Sequence, residues 1–184
     1  MRAGRAAIGV AAVLGALLIT GVSASGAGAS STPAGGPVQV FYTPTGNGTG
    51  KVVIAGAIGD YGTGVNTDAD GTPDPNGDHA KLTLTKGTFV VDAVTLDVKQ
   101  NKATPAFDPA TCSAVLSTTA PVKLLDGTGL YAGISGTVDV TASGIFVLPR
   151  YKTGKHKGQC DGNANPAPGA FFEVLHGKGT VQFG

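Results

Sequence analysis

The sequence predicts an all-β domain, either a small antiparallel β-barrel or a two-sheet β-sandwich. Three features carry that expectation. After residue 37, large apolar residues repeatedly alternate with Thr, Ser, Asp and Lys at every second position, the period of a strand with one dry face and one wet face. Val and Thr dominate these runs, as strand propensity favours. Gly, Pro, Asn and Asp fill the gaps, and beyond residue 29 no window of helical length carries apolar residues at i, i+3, i+4 and i+7.

The strands are expected in the following order. Residues 38–43 and 51–58 form the first two, parted by Pro44 and Gly46. Leu82 and Leu84 alternate with Thr83 and Thr85 ahead of a Lys86-Gly87 turn. Over 90–99, Val90, Val94, Leu96 and Val98 share one face and Thr95, Asp97 and Lys99 the other, with Asp92 out of place on the apolar side. Strands at 112–118 and 122–125 precede an Asp126-Gly127 turn. The clearest alternation is 134–140, where Ile134, Gly136, Val138 and Val140 oppose Ser135, Thr137, Asp139 and Thr141. Strands at 144–148 and 171–176 follow, then a Gly177-Lys178-Gly179 turn and a last pair of alternating residues, Val181 and Phe183. Segments 60–79, 100–111 and 149–170 read as long loops, a length often tied to function.

Residues 1–29 have the layout of a secretory signal peptide. Arg2 and Arg5 precede an apolar run from Ala6 to Thr20, and small residues end in Ala27-Gly28-Ala29. Cleavage is expected after Ala29, with cuts after Ala24 or Ala27 as alternatives, and the protein is expected to be secreted and extracellular. The run falls short of the about 20 apolar residues of a membrane span and contains Gly9 and Gly15. No second run of that length follows, so no membrane span is expected after cleavage. Residues 30–37 read as a flexible segment and 38–184 as a single domain. Without Arg2 and Arg5 the 13 basic residues become 11 against 12 acidic ones, a balance that gives no electrostatic reason to bind nucleic acid.

Cys112 and Cys160 are the two cysteines. An even count in an exported chain favours a disulfide. Closing a loop of that span stabilises by on the order of 4 kcal/mol in the chain-entropy model. The alternatives are two free thiols or a metal pair, but cysteines so distant, with no histidine in ligand spacing, make a poor zinc site.

The segment Asp126-Gly-Thr-Gly-Leu-Tyr-Ala-Gly-Ile-Ser-Gly-Thr-Val resembles a hairpin of the allene oxide cyclase-like and dirigent-like β-barrel proteins, on Gly127, Thr128, Gly129, Tyr131, Gly133 and Gly136. It is also similar to exported bacterial proteins of that kind. The resemblance covers about a dozen residues and implies a barrel. In the residues themselves, Gly127 and Gly129 suit positive φ in a tight turn, Tyr131 suits covering it, and glycines within a strand allow a bulge or sharp coiling. That group includes cyclases and proteins that orient radicals in an apolar cavity. No position here matches their working acidic or polar residues, so fold carries no activity with it.

Two loops hold candidate sites. Asn66, Asp68 and Asp70, followed by Gly71 and then Asp74 and Asp78, place oxygen donors at i, i+2 and i+4 before a glycine, the first half of a calcium loop. The position of the bidentate glutamate falls on Gly77, so Asp74 or Asp78 would have to replace it. The same residues also suit a plain polar turn. Arg150, Lys152, Lys155, His156 and Lys157 form a basic cluster before Cys160, either an anion-binding surface for a polymer or headgroup or a solvated loop.

Catalytic residues remain unassigned. His79, His156 and His176 are scattered, and Ser113, Ser135 and Ser143 lack a Gly-x-Ser-x-Gly elbow. Glu173, beside Phe171 and Phe172, would be an acid or base of raised pKa if it faced a barrel interior; it is expected to face water. Asn47-Gly-Thr49 is a glycosylation acceptor only in a host that modifies such sites. The expected function is non-enzymatic binding of a small apolar ligand or a surface polymer, with no cofactor unless calcium binds. The alternatives are an isomerase or cyclase acting on an apolar substrate in the barrel, and a calcium-stabilised structural surface domain.

Overall fold

The computed structural model describes residues 34–167 and 169–184. The expected signal peptide, and residues 30–33 of the flexible segment, lie outside them. Nine strands form, β1 (Gly36–Gly46), β2 (Thr49–Gly56), β3 (Asp60–Thr67), β4 (His79–Leu84), β5 (Gly87–Asp92), β6 (Ala106–Asp108), β7 (Ser113–Leu125), β8 (Ser135–Val147) and β9 (Phe171–Gln182), with one helix, α1 (Val94–Lys102), between β5 and β6. Neighbours pair in the order β5-β4-β3-β2-β1-β9-β8-β7, and β5 also pairs with β7 through Val90–Leu125, Val91–Leu124 and Asp92–Lys123. That last pairing closes eight antiparallel strands into a barrel, so the barrel, not the sandwich, is the fold. The short β6 lies outside the ring, against the start of β7.

Alternation sends one face of each strand inward. Val38, Val52, Ile54, Leu82, Phe89, Val122, Val138 and Val181 are among the buried core residues. Burying side chains of this size contributes roughly 1.5–3 kcal/mol each. The disulfide forms as expected, with Cys112 and Cys160 at an S–S distance of 2.01 Å and Cα atoms 5.4 Å apart. It ties the entry of β7 to the 149–170 segment.

Five expectations about the elements change. First, residues 90–99 are not one strand; β5 stops at Asp92 and Val94–Lys102 is helical. On a helix, two residues turn about 200°, so Val94 and Val98 flank the buried Leu96 on the far sides and are 37% and 45% exposed. Second, 60–79 is not all loop. β3 occupies its first half, hidden from hydropathy because its inward positions are Asp60, Gly62, Gly64 and Asn66. Third, 100–111 holds the end of α1 and all of β6. Fourth, 112–118 joins 122–125 in β7, and 134–140 joins 144–148 in β8. Likewise, the Gly177-Lys178-Gly179 turn is absent, because both glycines face inward within β9. A Cβ on Gly177 would come within 2.9 Å of the Val138 and Val140 side chains. Glycine there lets the strands pack closely.

Candidate functional site

The connections place two different ends on the barrel. One end carries the β2–β3 and β4–β5 turns, the β7–β8 connection and the C-terminus. The other carries the β1–β2 turn, the β3–β4 loop, α1 and the β8–β9 segment.

The first end is plugged. The β7–β8 connection runs from Asp126 to Ile134, with a short 3-10 turn at Gly129–Tyr131. Gly129 and Gly133 have φ of 60° and 70°, a region where glycine has no steric cost. Gly127 does not; Asp126 takes the left-handed conformation instead, at φ 54°. Glycine is needed at 127 for space, since a Cβ would collide with the Tyr131 carbonyl. Tyr131 does more than cover the turn. It is 1% exposed, meets Phe89 edge-on at 5.5 Å and tilts against Phe183 at 6.4 Å. Its hydroxyl donates to Asp60 Oδ2 at 2.5 Å. Asp60 also accepts from Thr85 Oγ1 at 2.5 Å, the Tyr61 amide at 2.8 Å and the Lys86 amide at 3.0 Å. Burial acts to raise the Asp60 pKa, but the hydrogen bonds, led by Thr85 and Tyr131, win and hold it at about 2. Burial pushes the Tyr131 phenol up, and the neighbouring Asp60 adds to that.

The second end leads into the lumen. A cavity of about 360 Å³ runs from core residues such as Ile54, Phe89 and Val138 to rim residues such as Pro44, Gly48 and Asp78. Small-molecule sites span roughly 300–1,000 Å³. Most of its wall is aliphatic, from Val38, Val40, Leu82, Val91, Val122 and Leu175 among others. Polar groups gather towards the mouth: Tyr42 from β1, Asn66 from β3, Asp78 and His79 at the start of β4, Asp97 and Gln100 from α1, and Glu173 from β9.

Glu173 therefore faces the cavity and not open water. It shares the inward parity of Leu175 and Val181 and is half-buried. Burial pushes its carboxyl pKa up, and the Gln100 amide acts weakly the other way. Burial, then the charge of Glu173, raises the Tyr42 phenol. Tyr42 lies over two glycines of neighbouring strands: a Cβ on Gly50 or Gly64 would run into its ring. Their lack of side chains makes the room that Tyr42 occupies.

The five predicted calcium ligands are not brought to one point as a carboxylate cluster. Asp70 accepts from the Thr72 amide at 2.8 Å, and that bond holds its carboxyl below the usual range. Asp74 accepts from the Asn76 amide at 2.9 Å, Asn66 donates to the Pro75 carbonyl at 3.2 Å, and Asp78 meets His79 Nδ1 at 2.7 Å. Asp68 is exposed, and its backbone closes the turn with Thr72 and Gly71. Among the described residues no three His, Cys, Asp or Glu side chains group as metal ligands. Two of the five, Asn66 and Asp78, line the cavity mouth instead.

In the basic cluster, Arg150 donates to the Gly158 and Ala110 carbonyls at 2.7 and 2.6 Å and so braces two loops. His156 meets Gln159 at 2.8 Å. Lys152, Lys155 and Lys157 remain exposed on the surface.

Sequence reasoning missed the mouth as a unit because its members come from five segments. The available signals were the parity of Tyr42 with Val38 and Val40, and of Glu173 with Leu175. Comparison with known proteins gave no matching family model, no matching curated protein and no matching solved structure.

Proposed function

We propose that the protein is an exported binding protein that holds one small, largely apolar ligand in the barrel lumen. The observation that carries this reading is the aliphatic cavity of about 360 Å³, whose polar side chains gather at one end. Eight-stranded barrels either fill their interior with side chains or hold a single ligand. Here small residues, among them Ala80, Ala93 and Gly177, line the cavity. Export is supported by the disulfide and by the layout of residues 1–29.

The test is titration of the oxidised protein with a neutral polarity-sensitive dye such as Nile red. Saturable one-to-one binding is expected. Val40→Phe, which puts a ring into the lumen, is expected to abolish it while keeping the far-ultraviolet β-sheet spectrum. Absence of saturable binding, or full binding by a folded Val40→Phe protein, refutes the reading.

A second reading is an isomerase or cyclase acting on an apolar substrate in the same lumen. It is favoured by Glu173, an inward carboxyl of raised pKa beside the Tyr42 phenol, a pairing suited to general acid–base work. Turnover of candidate substrates that Glu173→Gln removes without weakening binding would establish it.

A further inference from the structure

We infer that the lumen selects an apolar ligand with a cationic amine head, seated at the mouth against Glu173. The inference rests on the binding reading above and adds the chemistry of the head group. Its first support is the charge of the wall. The residues lining the cavity include three carboxylates, Asp78, Asp97 and Glu173, and neither lysine nor arginine. The two histidines there, His79 and His176, carry no fixed charge, and His79 is already engaged with Asp78. Among the described residues that His79–Asp78 contact is the only one between a basic and an acidic side chain, so Glu173 and Asp97 have no lysine or arginine partner. Asp97 accepts only from the neutral Asn101 amide, at 2.9 Å.

The second support is the placement of Glu173. It lines the cavity two residues along β9 from Leu175, which is the register partner of Tyr42. A chain lying along Val40, Leu82 and Val122 brings its head to this level. An ammonium offers three donors and no acceptor. The groups at this level include the Glu173 carboxylate and the Tyr42 ring, whose face attracts cations. Burial raises the carboxyl pKa against the one donor, Gln100, and an ammonium supplies further donors and the counter-charge. A carboxylate head would instead meet like charges in a partly desolvated site.

The experiment displaces the neutral dye from the oxidised protein at pH 7 with decylamine, decanol and decanoate, three heads on one chain length. Decylamine is expected to displace at a concentration about tenfold below decanol, a difference of about 1.4 kcal/mol, and decanoate is expected to be the weakest. Glu173→Gln should raise the decylamine midpoint towards that of decanol and leave decanol in place. Asp97→Asn should act in the same direction by less. Decanol matching or beating decylamine, or an unchanged ratio in Glu173→Gln, overturns the amine inference while the binding reading stands. Failure of the dye and of all three compounds to bind removes both.

Discussion

The barrel has a tyrosine and a carboxylate at each end, and the two pairs behave in opposite ways. At the plugged end Asp60 accepts four hydrogen bonds, one of them from Tyr131, and is held ionised with a pKa of about 2. At the open end Glu173 lies near Tyr42 with little besides Gln100 to solvate it, and its pKa rises. Burial pushes both carboxyls in the same direction. The supply of fixed donors decides which way each one ends. A satisfied carboxylate locks turns together; an unsatisfied one at the rim of a cavity is free to meet a ligand.

Breaking the plugged end should give the largest effect. Asp60→Ala removes the acceptor for Tyr131, Thr85 and two backbone amides, leaving a buried phenol unpaired. A loss of about 3 kcal/mol is expected, read as a lower urea midpoint with unchanged slope.

Acid sharpens the contrast. The folded pKa of Asp60, about 2, lies below the unfolded value near 3.9, so the folded state binds fewer protons. Its contribution, on the order of 2 kcal/mol, is complete above about pH 5 and is lost as pH falls towards 2. Glu173 has the opposite sign. Its raised folded pKa means that ionising it costs stability as pH climbs past the unfolded value. Urea midpoints across pH 2–7 should therefore fall on the acid side in the wild type and flatten in Asp60→Asn. Glu173→Gln should keep the acid loss and gain less than about 1 kcal/mol at pH 7.

The tyrosines give the smallest and cleanest difference. Tyr131→Phe removes a buried hydroxyl from a charged acceptor and should cost about 1.5–2 kcal/mol. Tyr42→Phe removes a hydroxyl that has no hydrogen-bond partner among the described residues and should cost under about 0.5 kcal/mol, measured by the same unfolding curves.

The comparison also shows how much the sequence disclosed. Two-residue periodicity found the walls, as in 134–140, because one face of each strand is dry and the other wet. It failed in β3, where the inward positions are Asp60, Gly62, Gly64 and Asn66. Those residues answer to tertiary demands: Gly64 makes room for Tyr42, and Asp60 receives donors from residues 25 and 71 positions away. It failed again at α1, where Val94, Leu96 and Val98 alternate by chance on a helix that buries only Leu96. Asp92, out of place in a strand pattern, was the local clue, since its carboxylate accepts from the Val94 amide at 3.2 Å where the helix begins. The motif from Gly127 to Gly136 marked the plug, and the disulfide followed from counting cysteines. The mouth stayed hidden because Tyr42, Asp97, Gln100 and Glu173 meet only once the ring closes.

The central claim is that one end binds and the other only holds. Backbone and side-chain NMR shifts during titration with decylamine test it most directly. Saturable shifts at Tyr42, Ala80, Glu173 and Leu175, with Asp60, Tyr131 and Gly184 unmoved, are the predicted result. Shifts confined to exposed outer residues such as Phe41, Val53 and Tyr61, or no saturable shifts, would contradict it.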